Sequence, residues 1–364
     1  MHGDERKSRT GSSSKSSSMS WTYFDRGLRL WKGDALQMLK RMKSNSISGV
    51  VTDPPYGIAF MGSRWDYQLP DIAIWQELHR ALKPGGYIVV FSSTRTIHRL
   101  GVALEDSGFE PRDLIGWVTY QGFPKSRSIA DDLPEHDAKK YEGYGTALKP
   151  AQEPALLMRK PPEGTLAQNV LRYGTGGLNI DRCRFKHGDP AWIGPDEELT
   201  SRNNGAKPRD AGPSLVIAGE AVTLHPHKAG RWPANLYQCP KVSRSEREQY
   251  TEGLKSISGA QATHRKEGSA GLDNPRAGAS RGAAEVRNSH PTVKPRQLIR
   301  WLLRLVSPPG DMSGPILDPF LGSGTALLAG LEEGIRVWGS EREEEYQRLI
   351  QHRVEEATRQ GYLF

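Results

Sequence analysis

From Leu28 to Tyr120 the chain switches between two periods. Short apolar runs alternate with stretches whose apolar positions recur every three or four residues. "LRLWKGD" reads as a strand ending at Gly33 and Asp34, and "ALQMLKRM" has helical spacing. "SGVVTD" is the next strand, and "DIAIWQELHRALKPGG" is a helix stopped by Pro84, Gly85 and Gly86. "YIVVFSS" reads as a buried strand, "TIHRLGVALEDSG" as a helix ending at Gly108, and "DLIGWVTY" as a strand. Such alternation predicts a mostly parallel sheet with helices on both faces.

The alternation breaks after Tyr120. "QGFPKSRSIADDLPEHDAKKYEGYGTALKP" has no steady period, and "EPALLMRKP" is one more strand. Pro162 to Ser289 is rich in Gly, Arg, Asn and Ser; within it, His264 to Ser289 has the composition of a flexible segment. The pattern then returns. "PRQLIRWLLRLV" is an amphipathic helix, "GPILDPF" a strand, "ALLAGLEEG" a helix, "RVWGSE" a strand and "REEEYQRLIQHRVEEA" a charged helix. The expected organisation is a Ser-rich disordered tail at 1–20 (with Met19 as an alternative start), an α/β half at 21–161, an irregular insertion at 162–289 and a second α/β half at 290–364. The two halves are expected to complete one sheet.

Composition adds three constraints. With 364 residues, 39 Gly and 25 Pro, the chain can build a core but must spend much of its length in loops. Cys183 and Cys239 are its two cysteines, and there is no signal-like apolar segment, which argues against a disulfide scaffold and a membrane span and points to the cytosol. A net charge of +8 and a pI near 9.4 suit a polyanion such as nucleic acid, although excess surface Lys and Arg would give the same balance.

Two turns carry chemistry. In "ILDPFLGSGTA", Gly322 and Gly324 lie between a strand and a helix, where glycine lets a ligand approach closely. The next strand ends in Glu341, placed to accept hydrogen bonds from ribose hydroxyls. No Lys-Ser or Lys-Thr pair follows the glycines, so a P-loop is excluded, and Leu327 replaces the third glycine of the dinucleotide pattern. Asp318 could bind an ammonium group, and the helix N-terminus after Gly324 a carboxylate. A ligand with an amino acid at one end and a ribose at the other fits; S-adenosylmethionine is one.

The second turn is Asp53-Pro54-Pro55-Tyr56, again at a strand end. The prolines fix φ and offer no N–H, so their carbonyls point outward from a stiff turn. A carboxylate and a carbonyl aimed at one point accept both hydrogens of an –NH₂ group, and Tyr56 can stack on a flat ring. Adenine and cytosine both qualify. Hydrogen bonds from both N–H groups favour a pyramidal nitrogen whose lone pair is free to attack a sulfonium methyl, and Asp53 stabilises the developing positive charge. In a duplex the base must first leave the stack.

Together, Asp53-Pro54-Pro55-Tyr56 and the later Asp318-Pro319-Phe320-Leu321-Gly322-Ser323-Gly324-Thr325 resemble the DNA amino-methyltransferases of the permuted β group, which methylate adenine N6 or cytosine N4. Gly33-Asp34, "HPTVKP" (His290 to Pro295), "GFPKS", "GTALKPAQEP" and "GRWPAN" extend the likeness to phage and prophage enzymes, over about Leu28 to Ala357. The resemblance implies a Rossmann-like fold whose seven-stranded sheet has one antiparallel strand. It implies that Asp318, Phe320, Gly322, Ser323, Gly324, Thr325 and Glu341 hold S-adenosylmethionine, that Asp34 meets its adenine amine, and that Thr292 and Lys294 line its methionine end. Asp53, Pro54, Pro55 and Tyr56 would hold the target base. The 162–289 insertion would read the sequence of double-stranded DNA. Ser340 stands where an apolar residue is more usual.

Asp in the first motif position implies adenine, with cytosine N4 as the alternative. Protein and RNA methyltransferases usually carry Asn there and place the cofactor motif first. A DNA-binding module without catalysis would lose nothing on Asp53→Ala. The implied setting is the cytoplasm, bacterial or phage-encoded, in restriction-modification; the oligomeric state is left open, a homodimer included. Cys183, His187, His225, His227 and Cys239 match no common zinc spacing, and no metal is expected. Phe60 and Trp65 could gate the base pocket or pack. Lys125, Arg127, Arg172, Arg182 and Arg184 are candidate phosphate contacts, or solvated charge.

Overall fold

A computed structural model of the chain describes residues 20–59, 66–122, 124, 126–186, 188–192, 200–202, 221–223, 230–258, 285–310 and 314–361. The tail at 1–20 therefore lies outside the described residues except for Ser20. The helices are α1 (Ala35–Arg41), α2 (Ile72–Ala81), α3 (Ile97–Asp106), α4 (Glu135–Ala138), α5 (Leu166–Tyr173), α6 (Arg244–Glu248), α7 (Arg296–Val306), α8 (Thr325–Glu333) and α9 (Glu344–Arg359). The main sheet holds β1 (Ser20–Tyr23), β2 (Arg29–Lys32), β3 (Ile47–Thr52), β4 (Leu82–Phe91), β5 (Glu110–Val118), β6 (Gln152–Arg159), β7 (Leu236–Gln238), β8 (Ile316–Asp318) and β9 (Val337–Glu341). Its order is β1-β2-β9-β8-β3-β4-β6-β5-β7. The C-terminal strands β8 and β9 thus slot between β2 and β3, and the two α/β halves do complete one sheet.

Among the described residues the sheet has nine strands, not seven. The expected seven are present as β2 to β6, β8 and β9, with β6 antiparallel to both neighbours. Two edge strands are added. β1 pairs antiparallel with β2, and its Trp21 packs edge-on against Trp31 (5.4 Å) and Trp338 (5.8 Å). β7 comes from the insertion and pairs parallel with Gly116–Val118 of β5. Gly116 makes this possible, because a Cβ there would lie 2.7 Å from the Leu236 side chain.

The central strands are buried on both faces, which is why they read as unbroken apolar runs. Val51, Val89 and Phe91 face a core with α7, α8 and α9. Val50, Ile88 and Val90 face the opposite core with α1, α2 and α3. Cys183, Phe185, Tyr237, Cys239 and Tyr250 of the insertion join the first core, with Tyr237 5.0 Å from Trp301. One boundary differs from expectation. α2 ends at Ala81 and β4 starts at Leu82, so Pro84, Gly85 and Gly86 lie inside the strand. Gly85 turns with φ +76°, so the pairing with β3 slips register there, and Asn169 Nδ2 (3.0 Å) and Thr175 Oγ1 (2.6 Å) donate to the Pro84 carbonyl beside it.

Gly339 sits where β9 passes β8, directly opposite Asp318. A Cβ there would come 2.2 Å from the Asp318 carbonyl and 2.6 Å from Leu321. Gly339→Ala is expected to destabilise the fold by about 1–3 kcal/mol through overpacking, measured as a lower urea midpoint at unchanged m-value.

Candidate active site

β3 and β8 run side by side in parallel, with Gly49 beside Ile316 and Val50 beside Leu317. Asp53 and Asp318 therefore leave the same edge of the sheet, although 265 positions separate them in sequence. Thr52 Oγ1 donates to Asp318 Oδ1 at 2.7 Å, and the Phe320 amide donates to the same oxygen at 3.1 Å. Asp318 is 7% exposed, and burial pushes its carboxyl up to about 7. Glu341, at the end of β9, accepts from the Gly322 amide (2.9 Å) and the Glu343 amide (2.8 Å), and burial likewise raises it to about 7.

The glycine turn is tight on both sides. Gly322 has φ +54°, and a Cβ there would sit 2.7 Å from the His290 ring. Gly324 (φ +82°) caps α8, with Ile350 pressed against it. Buried Arg353 donates to the Ser323 carbonyl at 2.6 Å and holds the turn from behind. The hydroxyls of Ser323 and Thr325 are 3.4 Å apart. Asp34 caps α1 by accepting from the Gln37 amide (3.2 Å), and the Gly33 amide donates to the Glu341 carbonyl (2.9 Å).

The Asp53-Pro54-Pro55-Tyr56 turn holds a charged chain. Asp53 Oδ1 accepts from the Tyr56 hydroxyl at 2.6 Å, and Oδ2 is paired with the Lys294 ammonium. Lys294 also donates to the Tyr56 hydroxyl (3.1 Å) and lies 3.5 Å from Glu153 Oε2. Lys241, from the insertion, donates to Glu153 Oε1 at 3.2 Å. Burial raises the Asp53 carboxyl above the usual carboxylate range despite Lys294. Burial alone would lower Lys294, but Asp53 and Glu153 outweigh it and keep the ammonium protonated. Glu153 is held below its usual value, because Lys294 and Lys241 overcome its burial. Asp66, 1% exposed, closes the turn by accepting from the Tyr56 and Gly57 amides.

Both turns open into one cleft of about 930 Å³, within the range of ligand pockets. Asp34, Asp53, Pro54, Pro55, Tyr56, Thr292, Lys294, Asp318, Phe320, Gly322, Ser323, Thr325 and Glu341 all line it; Gly324 does not, and packs against Ile350 instead. The Lys294 ammonium rests on Asp53. Thr292 stays close to the glycine turn, its amide donating to His290 Nδ1 at 3.4 Å. Sequence reasoning gave no role to Glu153, Lys241, Asp66, His290 or Arg353. Glu153 and His290 lie inside quoted motifs, whereas nothing in the local sequence marks the other three.

The remaining candidates resolve in part. Cys183 and Cys239 are buried thiols raised to about 12 by burial, tied to Trp301 and Trp117 through backbone hydrogen bonds. His187, His225, His227, Phe60, Trp65 and Lys125 lie outside the described residues. Among the described residues no cluster of three or more His, Cys, Asp or Glu is placed to hold a metal. Arg127 pairs with Asp132, Arg172 with Glu163 (2.9 Å), Arg182 with Glu333 (3.3 Å) and Arg184 with Asp181 (2.8 Å). All four arginines therefore have partners within the chain.

Fold and site define a Rossmann-like α/β protein with one cleft lined by both the glycine turn and the Asp53-Pro54-Pro55-Tyr56 turn. The chain belongs to the DNA methylase family N6_N4_Mtase, which it matches over residues 47–352. It is 38% identical over 333 residues to the type II methyltransferase M.ScaI of Streptomyces caespitosus, covering 90% of this chain and 81% of that protein. Identity to M.HindIII of Haemophilus influenzae is 25% over 198 residues, 41% of this chain and 64% of that protein. To M.HpaI of Haemophilus parainfluenzae it is 32% over 122 residues, 30% of this chain and 36% of that protein. The chain thus spans less than two thirds of the latter two.

The raised carboxyl of Asp318 has a consequence for stability. The folded protein keeps this proton up to about pH 7, while the unfolded chain releases it near 3.8, so its contribution to stability is present at pH 4 and lost as pH rises through 7. Asp318→Asn keeps an oxygen for both hydrogen bonds and removes the charge. The variant is expected to match the wild type at pH 4 and exceed it at pH 8, by on the order of 3 kcal/mol in urea unfolding of the ligand-free protein.

Proposed function

We propose that this chain transfers the methyl group of S-adenosylmethionine to N6 of adenine in duplex DNA. One observation carries the reading: the carboxylate suited to an ammonium, Asp318, and the one suited to an exocyclic amine, Asp53, end adjacent strands and open into one cleft. Family membership supplies the DNA substrate class, and Asp at the first motif position favours adenine.

The residues fit the donor. A buried carboxyl raised to about 7 is ready to exchange its proton for an ammonium counter-ion, and Asp318 is such a group. The Glu341 carboxyl accepts from the Gly322, Glu343 and Arg342 amides, which leaves a lone pair for a ribose hydroxyl. Asp34 Oδ1 caps α1, leaving Oδ2 for the adenine amine. Gly322 gives close backbone approach, and Thr292, Ser323 and Thr325 supply hydroxyls around the turn. When bound, S-adenosylmethionine supplies an electrophilic methyl group.

The chain's own work is on the base. Asp53 and the Pro54 carbonyl accept the two amine hydrogens, and Tyr56 stacks on the ring. Pyramidalising the nitrogen frees its lone pair, and Asp53 stabilises the positive charge that forms there. The prolines and the Asp66 clamp hold these groups before the base arrives. We assign reading of the DNA sequence to the 162–289 insertion, which reaches the cleft through Lys241. No helix among the described residues is long and apolar enough to cross a membrane.

Methylation-sensitive sequencing of DNA from expressing cells tests this. N6-methyladenine is expected in one sequence context, falling by about a hundredfold or more with Asp53→Ala, while that variant still binds S-adenosylmethionine. N4-methylcytosine in its place would overturn the adenine assignment alone; no modified base, or undiminished modification by Asp53→Ala, would sink the methyl-transfer reading. Asp318→Ala is expected to weaken S-adenosylmethionine binding in calorimetry by at least about tenfold.

A further inference from the structure

Asp53 has a prior occupant. Oδ2 is paired with Lys294, which is 8% exposed and contacts Asp53, the Tyr56 hydroxyl and Glu153. The face of Phe91 lies 5.0 Å away. A target amine has to take over this carboxylate. A cation left against it would oppose the positive charge that methyl transfer creates on the amine. With its side chain 8% exposed, the displaced ammonium needs a second anion within reach to remain paired.

Glu153 is that anion. Its Oε2 stands 3.5 Å from Lys294 Nζ, so a shift of about half an ångström closes a charge-assisted hydrogen bond. Its other oxygen is held at 3.2 Å by Lys241, which leaves Oε2 toward Lys294. The residue sits on β6 and pairs with Trp117 of β5, so its backbone is fixed by the sheet rather than by a loop. We infer that Glu153 is a positioning residue that receives the Lys294 ammonium when the target amine takes Asp53, an inference that rests on the methyl-transfer reading of the cleft. Lys294 then serves two states: it neutralises Asp53 while the base slot is empty, and it withdraws when an amine arrives. Lys294 keeps its proton throughout, and only its ion-pair partner changes, from Asp53 to Glu153.

Steady-state kinetics on the full chain tests this, using tritiated S-adenosylmethionine and a duplex oligonucleotide carrying the sequence found modified in cells. Glu153→Gln is expected to lower kcat/KM for DNA by about thirtyfold or more, the low end of what truncating one partner of a buried charge pair costs. S-adenosylmethionine affinity and melting temperature should hold, and Glu153→Asp should recover part of the loss. The Glu153→Gln loss should persist in a Lys241→Met background and vanish in a Lys294→Met background. Unchanged DNA kinetics in Glu153→Gln would overturn the proposal. So would a loss that vanishes with Lys241→Met, which would make Glu153 an anchor for the insertion, or a parallel fall in S-adenosylmethionine affinity. Absence of methyl transfer by the wild type is a different result, because it removes the methyl-transfer reading itself.

Discussion

Two carboxylates leave neighbouring parallel strands at one buried edge, and the cleft is organised around how their charge is carried there. Burying an ionised carboxylate without a partner is costly, so each must be neutralised or paired. The two solutions differ. Asp318 has Thr52 and a backbone amide as donors and no cation in contact among the described residues, and its carboxyl rises to about 7. Asp53 has an internal cation, Lys294. On the proposed reading, the proton on one and the lysine on the other are stand-ins for the ligand groups, an ammonium at Asp318 and an amine at Asp53. The ligand-free cleft is thereby kept close to neutral without filling its ligand positions with apolar side chains.

Much of this was legible in the sequence, for identifiable reasons. Strands β3, β4 and β8 are buried on both faces, so "SGVVTD", "YIVVFSS" and "GPILDPF" carry unbroken apolar signals. The two turns announced themselves because proline and glycine mark special backbone wherever they fall. What escaped was non-local. β1 and β7 are short edge strands whose existence depends on partners elsewhere, Trp31 and Trp338 for one and the bare Gly116 for the other. Asp66 and Arg353 act on backbone atoms of distant turns, and their own surroundings in sequence are unremarkable. Lys294 was placed among the cofactor residues on resemblance, and only the packing of β6 beside β4 brings Asp53 and Glu153 to the same ammonium.

The insertion is more closely joined to the cleft than its irregular composition suggested. Its β7 extends the sheet, and Phe185, Tyr237 and Tyr250 fill one core face. Three polar links follow. Lys241 reaches Glu153, Arg247 donates to the His290 carbonyl at 2.9 Å, and the Gln249 carbonyl accepts from the same Arg353 that holds Ser323. The segment proposed to read DNA thus touches both the Asp53 turn and the glycine turn of the cleft.

That arrangement has a physical corollary in the chain order. The amine turn and the glycine turn come from opposite ends of the domain, and β8 and β9 can enter the sheet only between β2 and β3. No fragment lacking either end contains the Thr52–Asp318 bond, the Lys294–Asp53 pair or the Gly33–Glu341 link. Each of these joins the first hundred residues to the last eighty, and each involves a group that is costly to bury alone. The site and the completed sheet therefore depend on the same contacts: the bonds that satisfy Asp53 and Asp318 also tie the C-terminal elements to the N-terminal ones.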